Sequence, residues 1–357
     1  MAVTRILFTG YAPVHFACFR PLYQALLAQP GVDVAVSGGL RSRAADDLPW
    51  SYDADAMYRP FKLSSASILT VEQIERREFD VLFCANTKPI RPASHGRAIQ
   101  IFHGLSFRNR SLRARNLEYD HCFTVGPYMM RRLAELGPGA DDRTLVPIGF
   151  PKTDRLLDGS IDRDAIRRSL GFDGSRPVLL YAPTGAHDNS LETMGEELLA
   201  RLAEQDRYDV LVKPHDHPKK PIDWFARLAA LEDEHLRVTR EPDVIPLMVA
   251  SDLLISDASS VATEYTLLDR PIVFLDVPEL LAAAAADDDR LDMATWGRRG
   301  GRVAADCEAA LEAIAGELAD PDQALGDVRR ALRDDCFFNP GAATGAALTW
   351  MGDHVLT

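Results

Sequence analysis

Five cysteines occur in 357 residues, Cys18, Cys84, Cys122, Cys307 and Cys336, and no two are close in sequence. The odd count and wide spacing exclude a zinc clip, a redox pair and a disulfide framework, leaving ordinary thiols of a reducing cytosol. Long apolar runs are missing as well. No stretch approaches the roughly 18 apolar residues of a membrane span. The apolar run after Arg5 is too short for a signal peptide, and the alanine-rich run over 280–286 reads as a helix segment. Membrane contact is therefore peripheral at most, and the expected location is the cytoplasm, with the inner membrane face as the only place for such contact. Positive charge is also scarce: 40 Lys and Arg against 53 Asp and Glu leave a net charge of −13. So acidic a chain disfavours nonspecific binding to nucleic acid, which needs a basic face to displace counterions, and no nucleic-acid partner is expected.

What is present suffices for two cores. The length is about twice that of a usual domain, and 46% hydrophobic with 26% charged residues is an ordinary globular balance. Short apolar runs over 5–9, 32–36, 79–84, 98–102 and 122–125 alternate with helical stretches, one of them predicted over 19–28. After a charged helical stretch at 161–170 and a Gly-Pro loop, the series restarts with runs at 178–181, 210–212, 236–238, 253–256 and 272–275. The pattern predicts two doubly wound α/β units without sequence repeat, joined near 150–175. In open α/β sheets ligands sit beyond the carboxyl ends of the strands. The polar residues that follow each run are therefore the candidates.

His103-Gly104 follows the run ending at Phe102. Its histidine is either a base or an ordinary loop residue, and glycine allows close approach. Arg108 and Arg110, just beyond, suit phosphate. Lys213-Pro214-His215-Asp216-His217 follows another run, with Lys213 and His215 on one face if the chain stays extended. Neighbouring ligands do not readily converge on one ion, so no metal is assigned to His215, Asp216 and His217. In Ser256-Asp257-Ala258-Ser259-Ser260, Asp257 and two serines exceed what helix capping needs and point to a phosphate. Glu264, one turn past Ser260, is placed to accept from a ribose or polyol hydroxyl, or else is a solvated glutamate. Thr184, after Tyr181-Ala182-Pro183, lines the same crevice or is part of a plain turn.

In order and placement, several motifs resemble the CDP-glycerol glycerophosphotransferase family of teichoic-acid polymerases and primases. They are His103-Gly104, Gly149-Phe150-Pro151-Lys152-Thr153-Asp154, Tyr181-Ala182-Pro183-Thr184, Lys213-Pro214-His215 and Ser256-Asp257-Ala258-Ser259-Ser260, ending in Leu267-Leu268-Asp269-Arg270-Pro271-Ile272-Val273-Phe274. The likeness spans about residues 95 to 280 and is strongest over 149–275. It implies the GT-B fold, two Rossmann-like domains facing each other across a cleft. Residues 1–155 form the acceptor domain, 156–335 the nucleotide-donor domain, and 336–357 a tail whose helix returns to the first domain.

The resemblance also implies an activity without metal or cofactor. A polyol phosphate, glycerol phosphate first of all, passes from a CDP-polyol to an acceptor hydroxyl with release of CMP, in cell-surface or capsule-type polymer synthesis. The acceptor is a lipid-linked or soluble glycan or polyol. In that family's pattern His103 falls on the general base and His215 on a group that stabilises the donor phosphates. Ser259 and Ser260 cradle the pyrophosphate, with Asp257 and Glu264 alongside. Lys213, Thr184, Gly104, Arg108, Lys152 and Asp154 complete the donor-binding set.

The chain departs from the family at Phe102, where tryptophan is usual, at Gly185-Ala186, where Trp-Arg is common, and at Lys213, where arginine is commoner. It also lacks a basic amphipathic helix. Two other classes stay open. A nucleotide-sugar glycosyltransferase or epimerase would keep the fold. An epimerase needs further carboxylates, for which the acidic run Asp287-Asp288-Asp289 can be cited, though it reads more simply as a solvated loop. An inactive binding protein of the same fold is the third reading.

Overall fold

Short apolar runs ended by polar residues become buried parallel strands, because a sheet covered by helices on both faces exposes neither. The computed structural model describes residues 3–42, 49–85, 89–137, 139–141, 143–215, 222–286, 291–320 and 325–356. The chain divides into two units. Unit 1 comprises Met1–His103, Ser111–Asp154 and Asp335–Thr357, and unit 2 comprises Gly104–Arg110 and Arg155–Asp334.

Unit 1 contains β1 (Thr4–Gly10), β2 (Val32–Gly38), β3 (Leu40–Ser42), β4 (Ser51–Asp53), β5 (Ile68–Leu69), β6 (Glu78–Cys84), β7 (Ser94–Ile101), β8 (His121–Thr124) and β9 (Leu145–Pro147). β3 and β4 pair only with each other, as an antiparallel ribbon. The other seven form a parallel sheet in the order β5-β2-β1-β6-β7-β8-β9. Unit 2 contains β10 (Val178–Tyr181), β11 (Asp209–Val212), β12 (Leu236–Val238), β13 (Leu253–Ser256), β14 (Ile272–Leu275) and β15 (Arg302–Ala304). These also run parallel, in the order β12-β11-β10-β13-β14-β15.

Counted within its own sheet, each order starts third, second, first and then continues with the fourth. That is the doubly wound arrangement, in which connections diverge between the first and fourth strands and leave a crevice at their carboxyl ends. The divergence falls between β1 and β6 in unit 1 and between β10 and β13 in unit 2.

The chain's last helix, Ala343–His354, supplies Ala347 and Met351 to the core of unit 1, against Ile6, Val81, Ile99 and Phe123. The approach to that helix runs along two glycines. A Cβ on Gly126 would lie 2.1 Å from the Cys336 carbonyl, and one on Gly149 would lie 2.2 Å from the Phe338 oxygen. The helix has no side-chain cap of its own. Asp154 serves instead, its two oxygens accepting the N–H groups of Ala343 at 2.9 Å and Thr344 at 2.7 Å. Asp154 is 7% exposed, and its carboxylate sits at the helix N-terminus, where a negative charge is favoured. Asp154→Ala is therefore expected to cost about 1–3 kcal/mol of stability. A fall in thermal midpoint with unchanged donor affinity supports that role; a loss of donor affinity at unchanged midpoint contradicts it.

Candidate active site

In unit 1, β1 and β6 end at Gly10 and Cys84, and the next residues shape the crevice. Ala85 turns its carbonyl to His103, the second residue after β7, and His103 Nδ1 lies 2.6 Å from that oxygen. A carbonyl only accepts, so Nδ1 carries the hydrogen and Nε2 keeps the lone pair in the neutral ring. Burial pushes the His103 pKa below its usual 6.5; the Ala85 carbonyl opposes this, and the Lys152 ammonium lowers it further. The ring is thus a base with a fixed tautomer, neutral at physiological pH. Lys152 is 4% exposed, with its ammonium 5.6 Å from the centre of the Phe150 ring.

His15 packs against His103, with ring centres 5.1 Å apart. It is 3% exposed, and its Nδ1 accepts the Tyr11 N–H at 3.1 Å. Gly10 is small because His15 is close: a Cβ there would meet His15 Cβ at 2.8 Å. Cys84, at the end of β6, is not a rival nucleophile, since burial pushes its thiol up to about 12 despite the Thr9 hydroxyl 3.1 Å away.

In unit 2 the ends of β10 and β13 are bolted together. The Ser256 hydroxyl donates to the Ala182 carbonyl at 2.8 Å. Asp257, fully buried, accepts from the N–H of Thr184 at 2.8 Å on one oxygen. Its other oxygen accepts from the N–H and hydroxyl of Ser190 at 3.0 and 2.9 Å. The Ser190 hydroxyl in turn receives the Tyr181 O–H at 2.9 Å. Asp257 therefore holds the Thr184 loop in place.

Ser259 caps the helix Ser260–Tyr265, its hydroxyl accepting from Val261 N–H at 3.4 Å. Ser260 meets the loop that begins at Gly104: a Cβ on Gly104 would lie 2.8 Å from Ser260 Oγ. Gly104 and Ser260, 156 residues apart in sequence, thus meet at a position where a larger residue would have to displace the serine. The same loop is anchored by Phe107, which packs with Ala258, Val277 and Leu280 and whose carbonyl accepts the Asp292 N–H at 2.7 Å. Arg108 is 6% exposed.

Lys213 extends the β10–β11 ladder, its N–H donating to the Tyr181 carbonyl at 2.8 Å, and is 8% exposed. His215, two residues on, is exposed. Glu264 is 1% exposed, which replaces the solvated-glutamate reading with a carboxylate inside the protein. Asp216, His217 and the run Asp287-Asp288-Asp289 lie outside the described residues. Among the described residues no three His, Cys, Asp or Glu side chains group as metal ligands. Among them, too, no helix is long and apolar enough to cross a membrane.

His15, Tyr11, Ala85 and Ser190 are the site residues that the sequence reading passes over. Gly10-Tyr11 directly after a strand is a usable signal for the first two. A backbone carbonyl and a buried serine leave none.

Comparison with known proteins adds identity to this geometry. The chain is 30% identical over 145 residues to the teichoic acid poly(glycerol phosphate) polymerase of Staphylococcus epidermidis, covering 38% of this chain and 19% of that protein. It is 29% identical over 160 residues to the teichoic acid glycerol-phosphate primase of Bacillus subtilis, covering 44% of this chain and 39% of that one. The matches thus span well under half the length of these relatives. Its fold is similar to that of the wall teichoic acid polymerase TagF, with a TM-score of 0.63 at 17% identity over 98% of this chain and 88% of that one. A TagF variant soaked with CDPG gives 0.61. The fold is accordingly GT-B. Residues 91–335, more than half of the chain, match the family model CDP-Glycerol:Poly(glycerophosphate) glycerophosphotransferase, and the chain belongs to that family.

Proposed function

We propose that this protein transfers a polyol phosphate, glycerol phosphate first of all, from a CDP-polyol to an acceptor hydroxyl and releases CMP. The observation that carries the reading is the His103–Ala85 hydrogen bond, which leaves Nε2 free to take a proton. The acceptor O–H gives its proton to His103 Nε2 while its oxygen bonds to the phosphorus that bears the polyol. The bond from that phosphorus to the bridging oxygen of the diphosphate breaks, and the bridging oxygen leaves with CMP. Charge then develops on the leaving phosphate. His215, Lys213 and the Ser259–Ser260 turn are the groups suited to meet it, by the family pattern and by their place after strands. Glu264 suits a polyol or ribose hydroxyl from inside the protein.

Family membership supports the reaction class, and the CDPG-soaked relative supports the donor. The five free cysteines are all buried, which fits a reducing compartment such as the cytoplasm.

Donor binding is tested by thermal shift with CDP-, UDP- and GDP-linked donors. A donor at 100 times its Kd adds about 2.7 kcal/mol and raises the midpoint visibly. The expected result is stabilisation by CDP-glycerol or CDP-ribitol, reduced in His215→Ala. Stabilisation by a UDP- or GDP-sugar alone would move the protein to the glycosyltransferases or epimerases.

A further inference from the structure

Unit 1 holds a second polar feature at the carboxyl edge of its sheet. Arg41, on β3, lies with its guanidinium carbon 4.1 Å from the centre of the Tyr11 ring and 4.1 Å from that of the Trp50 ring. Two aromatic rings thus hold the guanidinium, whose N–H groups are what it offers a ligand. Among the described residues Arg41 forms no ion pair, although the chain has a large excess of carboxylates. Arg41 is exposed and Trp50 is 42% exposed.

The ribbon that carries Arg41 is closely packed where it leaves β2. A Cβ on Gly38, at φ +96°, would lie 2.0 Å from the Gly10 oxygen, and one on Gly39, at φ +149°, would lie 2.5 Å from the Asp53 and Ala54 backbone. Gly39 N–H also donates to Gly10 O at 3.1 Å. Beneath, the Tyr58 hydroxyl donates to the Ser37 carbonyl at 2.8 Å. From Arg41 the contacts run on to the proposed base: Tyr11 to His15 with ring centres 4.5 Å apart, then His15 to His103 at 5.1 Å. A cation held against two aromatic rings leads by successive ring contacts to His103.

We infer that Arg41, between Tyr11 and Trp50, binds a phosphate of the acceptor, set back from the hydroxyl that His103 deprotonates. The assignment rests on the transfer reaction proposed above. The fork presents two parallel N–H groups to one phosphate, the geometry that distinguishes arginine from lysine at such sites. The ligand is a phosphodiester or phosphomonoester on a polyol chain; a phospholipid headgroup would present the same chemistry.

Trp50 provides a readout that does not depend on turnover. Its fluorescence would be followed, against a Trp50→Phe blank, during titration with a short glycerol phosphate oligomer, with glycerol, and with vesicles of phosphatidylglycerol and phosphatidylcholine. The expected result is a saturable change with the oligomer and none with glycerol or vesicles. Arg41→Ala should weaken oligomer binding at least tenfold, and Arg41→Lys, which keeps the charge but loses the fork, should restore it only in part. In turnover, Arg41→Ala should raise KM for the oligomer about tenfold without changing KM for the donor. Equal oligomer affinity in wild type and Arg41→Ala overturns the assignment, as does a response to phosphatidylglycerol vesicles alone. If the oligomer binds through Arg41 but no CDP-polyol is turned over, the transfer reading fails and the phosphate site stands.

Discussion

His103→Ala is expected to lower kcat/KM by about 10²- to 10⁴-fold while the protein remains folded and binds donor, since a positioned general base contributes on that scale. The pH profile carries the sharper test. Burial and Lys152 hold the ring below 6.5, so the base stays deprotonated to lower pH than a free histidine and the acid limb should fall below pH 6.5. Lys152→Met removes a neighbouring positive charge, which favours the imidazolium, and should move that limb upward. Stability follows the same sign. The unfolded histidine binds its proton near pH 6.5 and the folded one only below it. The contribution of the neutral ring is complete above pH 6.5 and lost as pH falls through the folded value. An acid limb that stays in place in Lys152→Met would separate His103 from the proton transfer.

Asp257→Ala should be the most damaging single change in unit 2, costing about 3–5 kcal/mol. The substitution removes one buried carboxylate and strands the N–H groups of Thr184 and Ser190 together with the Ser190 hydroxyl. Asp257→Asn keeps one acceptor oxygen but turns an NH₂ toward the remaining donors, so it should be milder and in the same direction. Chemical denaturation would show a lower midpoint in both variants, with donor affinity falling as the Thr184 loop loosens. Unchanged stability combined with lost donor binding would instead make Asp257 a direct ligand of the donor.

The sheet positions are legible because parallel strands covered on both faces must be continuous apolar runs. The runs at 178–181, 236–238, 253–256 and 272–275 coincide with the strands in the structure. The first helix is less legible. A helix is expected over 19–28, whereas it runs Pro13–Leu27 with Pro21 inside it. Pro13 is a good first helical residue, but a second proline eight positions later reads as a break. That shift leaves His15 in an expected loop and conceals its packing on His103. The β3–β4 ribbon carries no short turn signal, so Arg41 and Trp50 have no visible connection in sequence. Around Asp257 the sequence reveals the residue but not its bonds to Thr184 and Ser190, because polar residues after a strand bind a ligand, the neighbouring loop, or both.

The central claim is that CMP leaves as an acceptor hydroxyl gains a polyol phosphate. The direct measurement is to incubate the wild-type protein with CDP-glycerol and a short glycerol phosphate oligomer, and to follow the nucleotide by chromatography and the oligomer by mass spectrometry. The predicted result is CMP released in step with oligomers extended by whole glycerol phosphate units, with both products formed about 10²- to 10⁴-fold more slowly in His103→Ala. An unextended oligomer with intact CDP-glycerol, alongside release of UDP or GDP from a nucleotide sugar or inversion of its sugar, would contradict it.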